Sequence, residues 1–223
     1  MSTGEEEALD GEAEAGRRME LALQSRSCEL DLSDLGLSEV PKRIVELTDV
    51  VHLSLAQNLI GPNGVQPLAE MRWLSTLNLG GNHVGDGGTE ILSGLSGLKG
   101  LFLSYNHLGA AGARSLSNLH GLETLRLEYN RIGFEGARAL FSLANLKVLT
   151  LTGNLDGHDA TEVRTFLRDL VTSRLARSLT TLKLGDDGQI YYQIPSAVAG
   201  SVSAQELFEA LRISLHPANR PDT

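Results

Sequence analysis

Leucines alternate with polar residues in short runs that recur along the chain every 24 residues. Each run has the form Leu-x-Leu-x-x-Asn, and the shared asparagines are Asn58, Asn82, Asn106, Asn130 and Asn154. An alternation of period two predicts a short strand whose leucines point to one side, into a core. One such unit cannot bury its leucines alone, so the repeat predicts stacked coils that share a continuous core.

The segment between one run and the next carries two glycines and then apolar residues at helical spacing. In the third coil these are Gly85, Gly88, Ile91, Leu92 and Leu95. The glycines permit a tight turn, and the apolar spacing predicts a short helix packed outside the strands. We expect each asparagine amide to bond backbone groups of neighbouring coils, which the turn would otherwise bury unpaired. The pattern therefore predicts an α/β solenoid, a curved horseshoe with parallel strands on its concave face and short helices on its convex face.

The two ends depart from the repeat and set the expected domain boundaries. Residues 1–16 hold six acidic and no basic residues and are predicted to be a disordered tail. Residues 17–202 form the predicted repeat domain of about seven coils, which opens with a cap helix at 17–24. A Ser-Ala-Gln-Glu capping box predicts a C-terminal capping helix at 203–215, and residues 216–223 are interpreted as a linker or tail.

The last coil is longer than the others. A strand is predicted at Leu179–Leu184, with Asp187 at the asparagine position. The additional residues lengthen the helix before it, whose apolar stripe is Val163, Phe166, Leu167, Leu170 and Val171.

Charge and cysteine content limit the partners and the compartment. The net charge is −9, and two thirds of it lies in the first 16 residues, so no basic surface for nucleic acid is expected. The single cysteine, Cys28, excludes an intramolecular disulfide and is expected to be a buried or half-buried structural thiol. The sequence contains no apolar run of about 20 residues and no signal-peptide pattern at the acidic N-terminus. We predict a cytoplasmic protein that does not bind membranes.

The sequence contains no catalytic constellation. The glycine-rich stretch at 80–88 resembles a phosphate loop only superficially, because Asp86 follows Gly85 where a phosphate loop would place lysine. His83 and His107 share a slot in adjacent coils and should lie about 5 Å apart. The neighbouring slots hold Leu59 and Arg131, which supply no third metal ligand. We therefore predict no enzyme activity, no cofactor and no metal.

Residues between the inward leucines should point to the concave face, and this face changes character in the middle of the array. Its slots are small and polar at both ends, whereas two adjacent coils carry Phe102, Tyr105, Arg126, Glu128 and Tyr129. Exposed aromatics with arginine dominate binding hot spots, so these five residues are the predicted contact site for another protein. In the alternative interpretation the tyrosines only cover the turn and Phe102 has no role. Trp73 is expected to lie on the rim or the back of the solenoid, with a packing role.

The repeat frame is identified as a leucine-rich repeat, and its Asn-x-Ile-Gly-x-x-Gly segment resembles the ribonuclease-inhibitor-like subclass. The resemblance implies a protein–protein interaction module that binds its partner on the concave face. Residues 17–41 resemble the start of bacterial leucine-rich-repeat proteins, including the repeat regions of Roco-type GTPases. That likeness implies an alternative, a sensing or regulatory segment of a larger multidomain protein. The residues predict neither the partner's identity nor the oligomeric state.

Overall fold

The computed structural model describes residues 3–155, 160–184 and 191–193. Within them, eight short strands form one sheet in which each strand pairs with its neighbour in sequence. The strands are β1 (Glu29–Asp31), β2 (His52–Ser54), β3 (Thr76–Asn78), β4 (Gly100–Phe102), β5 (Thr124–Arg126), β6 (Val148–Thr150), β7 (Thr181–Lys183) and β8 (Tyr191–Gln193). β1 to β7 run parallel, whereas β8 pairs antiparallel with β7.

The register joins the same position of consecutive coils. The paired leucines at the centre of the strands are Leu30, Leu53, Leu77, Leu101, Leu125, Leu149 and Leu182. All of them are buried in one continuous apolar core. The 24-residue interval thus returns the chain to the same place one strand further on, and the predicted solenoid is confirmed.

The return segments are helical, but the kind of helix changes along the array. The α-helices are α2 (Gly85–Leu92), α3 (Ala110–Leu116), α4 (Gly133–Ala139) and α5 (Ala160–Thr172). Coils 1 and 2 return through 3-10 helices at Lys42–Glu46 and Gln66–Glu70. Pro41 directly precedes the first of these segments, and Pro67 lies in the first turn of the second. Proline's fixed φ and missing N–H disfavour a longer α-helix there.

The asparagines form the backbone-bonding ladder that the sequence predicts. The buried Asn82 donates from Nδ2 to the carbonyls of Leu55 (2.9 Å) and Leu79 (3.0 Å). Its Oδ1 accepts the backbone N–H of Ile60 at 2.9 Å. Equivalent amide bonds are made by Asn58, Asn106, Asn130 and Asn154. Each side chain therefore fastens its own coil to the preceding one.

The N-terminal helix is a correction to the sequence prediction. α1 runs Thr3–Ser25, so the disorder predicted for residues 1–16 does not hold for 3–16, and the cap helix is longer than 17–24. Ala15, Met19 and Ala22 are buried at helical spacing against the first coil. The same segment is rich in alanine and glutamate, which favour helix strongly, so packing and propensity act together.

The C-terminal part carries one predicted element and one that was not predicted. In α5, Phe166, Leu167 and Leu170 are buried, which agrees with the apolar stripe. β8 has no repeat frame, so the periodicity contained no signal for it. The Asp187 position, the capping helix at 203–215 and the tail at 216–223 lie outside the described residues.

Candidate functional site

The five predicted contact residues lie on β4, β5 and the turns that follow them, and we call them the concave cluster: Phe102, Tyr105, Arg126, Glu128 and Tyr129. Phe102 pairs with Arg126 in the β4–β5 register. The Arg126 guanidinium carbon lies 5.3 Å from the centre of the Phe102 ring, in a cation–π arrangement. Arg126 is exposed and Phe102 is half-buried. The structure therefore unites an aromatic surface and a positive charge on neighbouring strands.

The Phe102 ring lies close to position 100, where glycine leaves the space beside it open. A Cβ placed on the buried Gly100 would lie 3.4 Å from Cε2 of Phe102 and 3.3 Å from Cγ2 of Thr76. An alanine there would press against both side chains. The missing side chain at 100 therefore helps to place the ring against the floor of the concave face.

Tyr105 and Tyr129 stack in the turns at the ends of the same two strands. Their ring centres are 4.5 Å apart and the ring planes differ by 16°. The two residues are 55% and 43% exposed, so the stack is open to solvent while its members support each other. Stacked pairs of this kind add about 0.5–1.5 kcal/mol beyond the area they bury.

Both tyrosines occupy a backbone conformation that bulky residues rarely adopt. Their φ angles are +56° and +55°, and the equivalent slots in coils 3 and 6 are Gly81 and Gly153, at +69° each. A Cβ on Gly153 would lie 2.5 Å from Cδ1 of Tyr129, so the tyrosine ring fills the space above this glycine. Left-handed conformations at non-glycine residues cost of order 1–3 kcal/mol and concentrate at functional sites. Asp34 and Gln57 occupy the same slot at positive φ in coils 1 and 2, so the conformation belongs to the repeat, and the glycines at 81 and 153 are its sequence signal.

Replacing Tyr105 separates the contribution of its ring from the cost of its backbone. Tyr105→Gly and Tyr105→Ala both remove the stack, but only glycine relieves the positive φ. We expect the glycine variant to exceed the alanine variant by about 1 kcal/mol in free energy of unfolding, measured by urea denaturation. As a control, Ser104→Gly should be less stable than Ser104→Ala, because position 104 has no positive φ. Equal stability of the two Tyr105 variants would contradict the strain.

Glu128, the fifth member of the concave cluster, is hydrogen-bonded to the preceding coil. The hydroxyl of Ser104 donates a short hydrogen bond to its carboxylate. The backbone carbonyl of Glu128 accepts the N–H of Tyr105 at 2.9 Å. Glu128 therefore supports the turn that carries Tyr105.

The concave slots after the cluster are less accessible than the sequence suggested. Thr150 and Thr152 occupy outward positions of β6 and the turn after it, yet they are 1% and 9% exposed. At the opposite end Asp31 is exposed. A hydroxyl–carboxylate hydrogen bond from Ser33 and its backbone N–H at 2.9 Å lower the pKa of Asp31, with a smaller contribution from Arg18. Asp31 thus carries its charge at neutral pH, and the open concave face extends over coils 1 to 5.

Asp86, His83 and His107 have structural roles in the turns of the array. Asp86 accepts the N–H groups of Gly109 (2.7 Å) and Gly112 (2.9 Å), so its carboxylate caps the start of α3. The exposed rings of His83 and His107 stack at 5.7 Å. Within residues 3–155, 160–184 and 191–193, no three His, Cys, Asp or Glu side chains are grouped as a metal site.

Two further sequence expectations have opposite outcomes. Trp73 is half-buried against the core and donates its Nε1–H to the Val50 carbonyl at 3.1 Å, so its packing role is confirmed. Cys28 is exposed, which contradicts the expected buried or half-buried thiol. Its position directly before β1 places it at the open side of the first coil, where no earlier strand covers it. No helix in the described part of the chain is long and apolar enough to cross a bilayer.

Comparison with known proteins supports the repeat class. The family described as leucine rich repeat matches residues 72–132. Internalin C2 of Listeria monocytogenes is similar at 28% identity and a TM-score of 0.50, over 66% of this chain and 57% of its own. The plant peptide hormone receptor RGFR1, solved in complex with RGF2, is similar at 23% identity and a TM-score of 0.44, over 66% of this chain and 22% of its own. No curated protein matches the sequence. The chain thus spans little more than half of the internalin C2 chain.

Proposed function

We propose that this chain, a leucine-rich-repeat solenoid, is an interaction module that holds another protein on its concave face at the concave cluster. The observation that carries the proposal is the pair of stacked, half-exposed tyrosines held at positive φ beside Phe102 and Arg126. In the same left-handed slot coils 3 and 6 carry glycine and coils 1 and 2 carry Asp34 and Gln57, so the fold does not require an aromatic ring there. Aromatic and arginine side chains on a rigid sheet are the residues that contribute most to protein interfaces.

Pre-organisation is a second argument for a binding role. The Tyr105 ring rests on Tyr129, the Tyr129 ring covers Gly153, and the Arg126 side chain lies over Phe102. Side chains that are already ordered lose less conformational entropy when a partner binds. The side chains of the cluster are therefore held in place before a partner binds, as expected of a contact site on a rigid sheet.

A photo-cross-linker placed in the cluster tests this proposal. Benzoylphenylalanine replaces Tyr105 in the full chain expressed in its source cells, and the matched control carries it at Ala111, an exposed residue of α3 on the convex side. We expect ultraviolet light to yield a discrete heavier adduct from position 105 and none from position 111. Adducts from position 111 alone, or equally from both positions, would overturn the concave assignment.

The finer family assignments are also proposals. We propose the ribonuclease-inhibitor-like subclass, since the Asn-x-Ile-Gly-x-x-Gly frame is followed by α-helices in coils 3 to 5. The alternative function, a sensing segment of a larger protein such as a Roco-type GTPase, is supported by the likeness of residues 17–41 to such repeat regions. The mass of the native gene product distinguishes the two: about the 23.9 kDa of this chain supports the module, and a much larger species supports the segment.

A further inference from the structure

Charge is distributed unevenly along the open concave face. The outward strand positions of coil 1 carry Glu29 and Asp31, both exposed. The outward positions of coils 2 to 4 carry no Asp, Glu, Lys or Arg: they are His52, Ser54, Ala56, Thr76, Asn78, Gly80, Gly100, Phe102 and Ser104. The next charges along the open face are in coil 5, where Arg126 is exposed and Glu128 is half-buried. The acidic coil 1 is thus separated from the exposed Arg126 by a neutral floor.

Arg126 has no acidic partner among the described residues, in contrast to five arginines that form ion pairs. Arg17 and Arg18 pair with Glu14, Arg43 with Glu46, Arg114 with Glu135 and Arg138 with Asp169. No carboxylate within residues 3–155, 160–184 and 191–193 lies within 4.0 Å of the Arg126 guanidinium, whose one described contact is the Phe102 ring. The nearby Glu128 accepts the hydroxyl of Ser104 instead. A guanidinium held over an aromatic ring keeps its edge N–H groups free for a carboxylate.

The floor between the two charged ends is shallow. Ala56, Gly80 and Ser104 form its third outward column, and a Cβ on Gly80 would meet only Asn78 Oδ1 at 3.3 Å and the Ser104 carbonyl at 3.7 Å. The Phe102–Arg126 and Tyr105–Tyr129 pairs lie at one end of this floor, on coils 4 and 5. A single extended chain laid across the strands would therefore contact small residues along its length and the aromatic pairs at one end.

We infer that the partner contributes an extended segment that crosses the strands, with an acidic side chain on Arg126 and a basic side chain near Asp31. The inference rests on the proposed function and specifies the chemistry of the partner. Four strand steps separate the two residues, or about 19 Å at the spacing of neighbouring strands. An extended chain rises about 3.3 Å per residue, so the acidic and basic side chains should be about six residues apart.

A library of random twelve-residue peptides displayed on phage tests this inference. It is selected against the wild-type chain, Arg126→Glu, Asp31→Lys and the control Arg114→Glu, which makes the same charge change on the convex helix α3. Arg114 pairs with a Glu135 side chain that is 80% exposed, so its reversal should disturb the fold little. Circular dichroism verifies the fold of each variant.

We expect the wild type and Arg114→Glu to enrich the same peptides, with an acidic and a basic residue about six positions apart. Arg126→Glu should exchange only the acidic position for Lys or Arg, and Asp31→Lys only the basic position for Asp or Glu. A synthetic consensus peptide should bind Arg126→Glu about tenfold or more weakly than wild type, with a difference that shrinks as salt is added.

Peptides with the same charges selected by wild type and Arg126→Glu would overturn the inference, and so would a failure to enrich any peptide. Neither of these results contradicts the proposed function, which the cross-linking experiment tests separately. A position-105 adduct without peptide enrichment would mean that the partner binds through a folded surface. If neither the adduct nor enriched peptides were found, the assignment of partner binding to the concave face would itself be overturned.

Discussion

Asn106→Ala is expected to destabilise the fold by about 3 to 5 kcal/mol, the largest effect of any single polar substitution in the array. The Asn106 amide donates to the carbonyls of Leu79 (2.8 Å) and Ser104 (3.1 Å) and accepts the N–H of Val84 (3.1 Å). Asn106 is completely buried, so alanine would leave the Val84 N–H without a partner and without water. The carbonyls of Leu79 and Ser104 would each lose one of two bonds and keep those from Asn82 and from the Gly81 N–H. Urea denaturation followed by circular dichroism measures the loss.

Asn118→Ala is the matched control for this substitution. Asn118 is exposed beyond the end of α3, and no side-chain hydrogen bond of it occurs among the described residues. Its replacement should change the free energy of unfolding by no more than about 0.5 kcal/mol. If Asn106→Ala and Asn118→Ala were equally mild, the asparagine ladder would not be what fastens the coils.

Gly11→Ala is expected to detach the N-terminal helix from the first coil. Glycine to alanine within a helix ordinarily stabilises it by up to about 1 kcal/mol. At position 11, however, the added Cβ would lie 1.8 Å from the backbone carbonyl oxygen of Leu35, and a backbone atom cannot move aside cheaply. The helix must shift, and the burial of Ala15 and Met19 should be lost with it.

Gly16→Ala tests the same change on the open side of α1. A Cβ at position 16 would meet nothing within 4 Å, so this variant should be stabilised by up to about 1 kcal/mol. Hydrogen exchange of the amides of residues 12–22 should be faster than wild type in Gly11→Ala and no faster in Gly16→Ala. Stabilisation by both alanines would contradict the docking of α1 on the first coil.

The parts of the fold that the sequence predicted are those that repeat. Five copies of one frame define the strands, their register and the asparagine bonds, since each copy packs its leucines into the same shared core. α1 begins earlier than the sequence predicts: the acidic composition of residues 1–16 indicates disorder, whereas helix propensity and the burial of Ala15, Met19 and Ala22 favour the longer helix. β8 carries no repeat frame, so the periodicity contains no signal for it.

The candidate site was predictable as a set of residues but not as a geometry. Register alone places Phe102 beside Arg126, because the two residues occupy the same slot of adjacent coils. The slot of Tyr105 and Tyr129 has a left-handed backbone in each of coils 1 to 6, but the distance and angle at which the two rings stack are not encoded by the pattern of leucines. The burial of Thr150 is likewise invisible to an alternation rule that assigns its position to the outside.

Affinity capture from a lysate of the source cells, with a cluster variant beside the wild type, tests the central claim most directly. The variant is Phe102→Ala/Arg126→Glu/Tyr129→Ala, with its fold verified by circular dichroism, and Arg114→Glu serves as the surface control. We predict a partner that is retained by the wild type and the control and is lost from the triple variant, since hot-spot truncations each weaken binding by 2 kcal/mol or more. Capture of the same proteins by all three chains would contradict binding at the concave cluster.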